Sequence, residues 1–187
     1  KWFKKILLDK YFKKEIKSLR KEPKNKLIDY LGWHKQNKKY YFVGLPLLSG
    51  RLYGEKKSLI RDIVKKYNLD LRLTPNQDIL LCNISVKHKL DIKKALSKIG
   101  YDNLNKINEI QRHALACPAL PLCGLAMTEA ERILPSVLTR IDDLLKSLNI
   151  KKSILFRMTG CPNGCTRPYM AELALVGSGQ NKYQLWL

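Results

Sequence analysis

Four of the five cysteines fall into two close pairs. Cys117 and Cys123 are spaced Cys-x5-Cys, Cys161 and Cys165 are spaced Cys-x3-Cys, and 37 residues separate the pairs. Each pair lies in a stretch rich in Pro and Gly, ACPALPLCG and TGCPNGC, rather than on a periodic face. Loops of that kind can turn backbone amides toward sulfur. The fifth cysteine, Cys82, lies inside the apolar run DILLCNI, where a small buried side chain is expected. Three chemistries compete for the quartet. Two disulfides suit an exported protein, and the opening KWFKK has neither the apolar stretch nor the cleavage site of an export signal. Structural zinc prefers pairs two to four residues apart, so the x5 spacing fits it poorly. An iron-sulfur cluster takes four thiolates and tolerates wider spacing, because its cube of iron and sulfide is larger than one metal ion. Spacing favours the cluster and leaves zinc open.

Positioning these loops requires a scaffold, and the sequence predicts an α+β one. Residues 2–20 carry Trp2, Phe3, Ile6, Leu7, Tyr11, Phe12, Ile16 and Leu19 at spacings of three and four, an amphipathic helix that must end before Pro23. YYFVGLPLLSG at 40–50 reads as a buried strand and a turn, with Tyr40, Tyr41 and Phe42 belonging to that core strand. A helix is expected over 55–67, through Leu59, Ile60, Ile63 and Val64. Segments 71–74 and 78–84 read as paired strands, and a helix at 90–99 closes a small α+β unit. Composition changes near residue 111. Thr128 and Glu131 have the spacing of a capping box, ahead of a helix through Leu134, Val137, Leu138, Ile141, Leu144 and Leu145 with Pro135 in its first turns. A strand at 153–158 leads into the second cysteine loop, and AELALVG with YQLWL reads as a terminal hairpin.

The 187 residues carry 36 Lys and Arg against 16 Asp and Glu, and 45% are apolar, which describes a globular chain rather than a disordered one. No apolar run is long enough to cross a bilayer, so a membrane is not an expected partner and an intracellular setting is. The net charge of +20 is uneven. Residues 1–110 hold 27 basic and 11 acidic side chains, a net +16, and the remainder holds only +4. Solvated helix faces explain such lysines; docking of an acidic partner is the alternative, and the aromatics do not interleave with lysines as nucleic-acid motifs require. The chain starts without Met and stops at Leu185-Trp186-Leu187, so it reads as a piece of a longer protein, truncated at both ends.

The two cysteine motifs, with AMTEAER at 126–132 and RPYMAELALVG at 167–177, resemble the paired signatures of the sirohaem-dependent nitrite and sulfite reductases. YLGWHKQ at 30–36, SGRLYG at 49–54 and LTPNQDILLC at 73–82 are similar to the half-domain that precedes the cluster module in that family. ACPALPLC and CPNGCTRPYMAEL look more like the ferredoxin-dependent sulfite branch than the nitrite branch, although Gly124 stands where that branch often has proline.

This resemblance implies a linker helix over 1–29, a ferredoxin-like half-domain over 30–110 and an incomplete mixed α/β domain for a 4Fe-4S cluster and sirohaem over 111–187. It also implies that Cys117, Cys123, Cys161 and Cys165 ligate the cluster and that Cys165 bridges it to sirohaem. Asn163, Arg72, Asn76 and Gln77 match positions near sirohaem, whose carboxylates amide and cationic donors can bind. Arg157 and Arg167, beside the second cysteine loop, are either charge partners for the cofactors or surface arginines. His113 is expected to be a satisfied polar residue. The implied reaction is six-electron reduction of sulfite to sulfide with ferredoxin as donor, in cytoplasm or plastid stroma, and it needs an N-terminal half that this sequence does not include. Reduction of nitrite to ammonium, cluster electron transfer without sirohaem, and a non-catalytic basic zinc module are the alternatives.

Overall fold

The computed structural model describes residues 5–6, 29–102, 104 and 107–187. The helix expected over 2–20 lies almost wholly outside the described residues. Two four-stranded sheets organise the rest, each with its own core.

The first sheet has the order β1-β2-β4-β3 and is antiparallel throughout, with β1 Gly32–Lys35, β2 Tyr40–Leu45, β3 Asp70–Leu73 and β4 Ile79–Ser85. Two helices, α1 Gly54–Tyr67 and α2 Lys89–Ser97, cover it. Period 3.6 in α1 puts Ile60 and Ile63 against Val43, Leu45 and Leu81, and burying each isoleucine contributes roughly 2 kcal/mol. Lys65 and Lys66 in its last turn oppose the negative end of the helix dipole. Asn68 then adopts the left-handed conformation, φ 48°, and its amide closes the helix on the Val64 carbonyl. Cys82 is buried in β4, as its apolar run predicts.

β2 is an interior strand with core residues, as expected, but its aromatics are not the buried ones. Tyr40 is exposed and Tyr41 and Phe42 are only half-buried; the core residues of the strand are Val43 and Leu45. The β2–β4 register breaks between Tyr41 and Val43; Tyr41 packs against the edge of the core and Phe42 stacks on His34 at 4.8 Å.

The second sheet, β5-β6-β7-β8, is mixed. Leu115–Ala116 (β5), Phe156–Thr159 (β6) and Leu173–Gly179 (β7) run parallel, and Lys182–Trp186 (β8) returns antiparallel as the expected hairpin. A one-turn helix, α3 Glu109–Arg112, precedes β5, and α4 Leu134–Ser147 connects the first cysteine loop to β6. Phe156 and Met158 pack on Leu134 and Leu138. All four β6 residues are buried, so both faces of that strand are covered.

The expected capping box does not form. Helix α4 begins at Leu134, with Pro135 in its first turn, and its N-cap is Ile133. Thr128 is buried instead, its hydroxyl donating to the Tyr183 hydroxyl of β8 at 2.9 Å, while Glu131 reaches across to Arg51 of the first unit. Tertiary partners have taken both side chains away from local capping. Among the described residues no helix is long and apolar enough to cross a membrane.

Candidate metal centre

Parallel pairing brings the two cysteine loops to one end of the second sheet. Residues 115 and 116 pair with 157 and 158, so the chain leaves β5 at Cys117 beside Thr159, two residues before Cys161. The Cys117 amide continues the ladder by donating to the Met158 carbonyl at 3.2 Å. Cys117 and Cys161 are buried, Cys123 is half-buried and Cys165 is exposed. All five cysteines are free thiols, with no disulfide among them.

The first loop is tied to the second through one carbonyl. Gly160 O accepts from the amides of Met127 and Thr128, at 2.8 and 3.2 Å, and Leu120 N–H donates to Thr128 O. That convergence leaves no room for a side chain. A Cβ on Gly160 would lie 2.6 Å from the Ala119 Cβ, and one on Gly177 of β7 would lie 2.3 Å from Gly160 O. Cys117 Sγ meets Thr159 Oγ1 at 3.6 Å and accepts from the Gly160 amide at 3.3 Å. Among the described residues no three His, Cys, Asp or Glu side chains sit together closely enough to hold a metal ion, so the quartet is gathered as two adjacent loops and not as a closed cage.

The turn between β3 and β4 reaches this end of the second sheet. Gln77, at φ 65°, donates from Nε2 to the Ala116 carbonyl at 3.0 Å, and its Oε1 is buried without a partner. Arg167 Nη2 donates to Pro75 O at 3.0 Å. Arg51 adds a bidentate bond to Glu131, 2.5 and 2.7 Å, on the same seam. A cleft of about 350 Å³ opens there, lined by Arg51, Leu73, Thr74, Gln77, Pro118 and Glu131. Asn76 is half-buried, its amide bonded to Thr74 Oγ1, and Arg72 is exposed on β3; neither lines the cleft. Asn163 is exposed, and the left-handed position in its loop belongs to Gly164, φ 69°.

Arg157 is no surface arginine. It is buried on β6 and donates from Nη1 to the His113 and Phe156 carbonyls, while its Nε has no partner. Desolvation, helped by the nearby Arg167, lowers its pKa to about 10, which leaves it cationic at neutral pH. His113 is buried too, and desolvation lowers its pKa, so its ring is neutral near pH 7.

The sequence profile of the nitrite/sulfite reductase ferredoxin-like half domain matches residues 34–99. The sulfite reductase (ferredoxin) of Synechococcus elongatus is 46% identical over 185 residues, covering 96% of this chain and 30% of that protein. The chain belongs to the nitrite/sulfite reductase family. Another nitrite/sulfite reductase relative, the sulfite reductase (NADPH) hemoprotein beta-component of Staphylococcus saprophyticus, is 39% identical over 164 residues, 85% of this chain and 29% of the relative. The chain thus spans about 30% of the length of these relatives. The fold is also similar to that of the Mycobacterium tuberculosis NirA protein, with TM-score 0.69 and 22% identity over 99% of this chain and 36% of that one.

Sequence reasoning missed three participants in this site. Thr159 and Gly160 lie inside the TGCPNGC motif and Glu131 inside AMTEAER, but the motifs give none of them a role of its own, and Glu131 reads only as a capping-box residue by its spacing. The one available signal for the first two was the apolar strand running directly into TGC.

Proposed function

We propose that this chain is the cluster-bearing portion of a ferredoxin-dependent sulfite reductase, in which Cys117, Cys123, Cys161 and Cys165 hold a 4Fe-4S cluster and Cys165 is shared with sirohaem. The observation that carries this reading is the exit of both cysteine pairs from the same ends of two adjacent parallel strands. The donor set fits: four free thiols on loops, with a backbone amide directed at one sulfur, suit a thiolate-bound cluster better than a hard-ion site. When bound, the two cofactors supply the one-electron steps that sum to the six-electron reduction of sulfite to sulfide.

The protein's own part is to hold, orient and balance charge. Buried Arg157, next to Met158 and the cysteine loops, offsets the negative charge that thiolate ligands bring. Exposed Cys165, Asn163 and Arg72 are reachable by a large cofactor edge, and the Arg72 guanidinium suits one of its carboxylates. Gln77 and Arg167 fix the turn containing Asn76 against the cysteine end of the second sheet. Ferredoxin is the proposed electron donor because the sulfite reductase (ferredoxin) relative matches over more of the chain, and at higher identity, than the NADPH-type one. The rest of the substrate pocket is assigned to an N-terminal half of the same enzyme, in a cytoplasmic or plastid-stromal setting.

Anaerobic reconstitution with iron, sulfide and sirohaem tests the reading. Cluster and tetrapyrrole absorption together, with the tetrapyrrole bands altered in Cys165→Ser, is the expected result. A colourless protein with one bound zinc would refute it.

A further inference from the structure

Thr159 is fully buried at the end of β6, and its hydroxyl stands between the two cysteine loops. It lies 3.6 Å from Cys117 Sγ in the first loop and 3.1 Å from the Cys161 carbonyl in the second. Gly160 N–H reaches the same sulfur at 3.3 Å. Among the described residues, Cys117 is the only one of the four cysteines whose sulfur has hydrogen-bond partners.

We infer that Thr159 is a positioning residue for Cys117, its hydroxyl and the Gly160 amide forming a pair of donors that raises the reduction potential of the cluster at that ligand. The inference rests on the cluster reading above. A hydroxyl has one proton and two acceptor lone pairs. With free thiols, Thr159 donates to the Cys161 carbonyl and accepts from the Cys117 thiol. A metal-ligating sulfur is a thiolate and has no proton to give. Thr159 Oγ1 and Cys117 Sγ would then be two acceptors facing each other. Because Thr159 is completely buried, no solvent molecule relieves that contact. Rotating the hydroxyl so that it donates to sulfur does, at the cost of one bond to a carbonyl. Hydrogen bonds to cluster sulfurs draw off electron density, which favours the reduced, more negative state.

A packing role for Thr159 makes the opposite prediction from a donor role. Valine keeps the shape and loses the proton; serine keeps the proton and loses the methyl group. If Thr159 only fills space on a strand buried on both faces, Thr159→Val is benign and Thr159→Ser is the damaging change. If it is a donor, the order reverses.

The test is an EPR-monitored redox titration of the reconstituted full chain, with iron content measured on every sample. Thr159→Val is expected to shift the reduced-to-oxidised ratio about fivefold toward oxidised at fixed potential, a midpoint about 40 mV lower for one electron. Thr159→Ser is expected to stay within about twofold of wild type. A wild-type midpoint in Thr159→Val, or equal shifts in both variants, overturns the donor role while leaving the cluster reading intact. Should Thr159→Val not fold, ENDOR on the wild-type cluster in H2O and D2O decides: an exchangeable hydroxyl coupling beside the amide one supports the role, and its absence overturns it. Wild-type protein that takes up no iron overturns the cluster reading, and this inference with it.

Discussion

Gln77 and Ala116 belong to different sheets, and the Gln77 side-chain amide donates to the Ala116 carbonyl across 3.0 Å, one residue before Cys117. The bond fixes the β3–β4 turn at the mouth of the first cysteine loop. Gln77→Ala leaves that carbonyl without its donor and keeps a residue with a Cβ at positive φ. The expected loss is about 1–2 kcal/mol in urea unfolding, together with faster proteolysis of the 117–128 loop. Unchanged stability would mean that solvent replaces the amide freely.

Gly177 and Gly160 touch backbone to backbone, and a Cβ on Gly177 would sit 2.3 Å from the Gly160 carbonyl. Because Gly160 O also holds Met127 and Thr128, the strand cannot back away without moving the first cysteine loop. Gly177→Ala is therefore expected to cost about 1–3 kcal/mol and to lower iron uptake, read by thermal unfolding and metal analysis.

Asp78 is half-buried, and its Oδ1 accepts from the Leu47 amide at 3.0 Å. Desolvation raises its pKa to about 6, with the charge of Asp29 adding to the rise and the Leu47 bond opposing it. A carboxyl whose folded pKa is raised favours folding in its neutral form. That contribution is complete below the ordinary aspartate range and is lost as pH climbs through about 6. Stability should therefore fall between about pH 4 and pH 6 through this group. Asp78→Asn keeps the acceptor oxygen and removes the ionisation, so it should flatten that slope and stabilise the protein at pH 7.5 by about 1–2 kcal/mol. Urea midpoints across the pH range check both.

The lysines of α1 and α2, including Lys57, Lys65, Lys66, Lys93 and Lys94, are exposed on the helical layer of the first sheet. If reduced ferredoxin docks there, affinity should drop severalfold between low salt and about 0.3 M salt, and further in Lys65→Glu/Lys93→Glu. Calorimetric titration measures it, and salt-independent binding would place the donor elsewhere.

Local periodicity was enough to read α1, α2, the β3–β4 pair and the β7–β8 hairpin, because each is long or regular enough to show its period. Strand β5 is two residues long and has no period to show, yet it sets the position of Cys117. Thr128 misled because its hydroxyl is claimed by Tyr183, 55 residues further on, a partner that no local window contains. Type and spacing single out the two cysteine pairs, and the structure brings their loops to one end of a sheet; the place of Thr159 between those loops has no local signal, since it arises from parallel pairing of β5 with β6. Arg157 illustrates the same limit. A lone arginine beside a cysteine loop reads equally as a cofactor's charge partner or as surface charge until the strand on which it stands proves to be buried on both faces.

In the proposed enzyme Cys117, Cys123, Cys161 and Cys165 form one cluster site, and Cys82, buried in β4, is not part of it. Iron and acid-labile sulfide per chain, measured after anaerobic reconstitution of wild type and of five single Cys→Ser variants, tests it most directly. About four irons are expected in wild type and Cys82→Ser, with marked loss in each of the other four. Equal iron in all five variants, or one zinc and no sulfide in wild type, would contradict it.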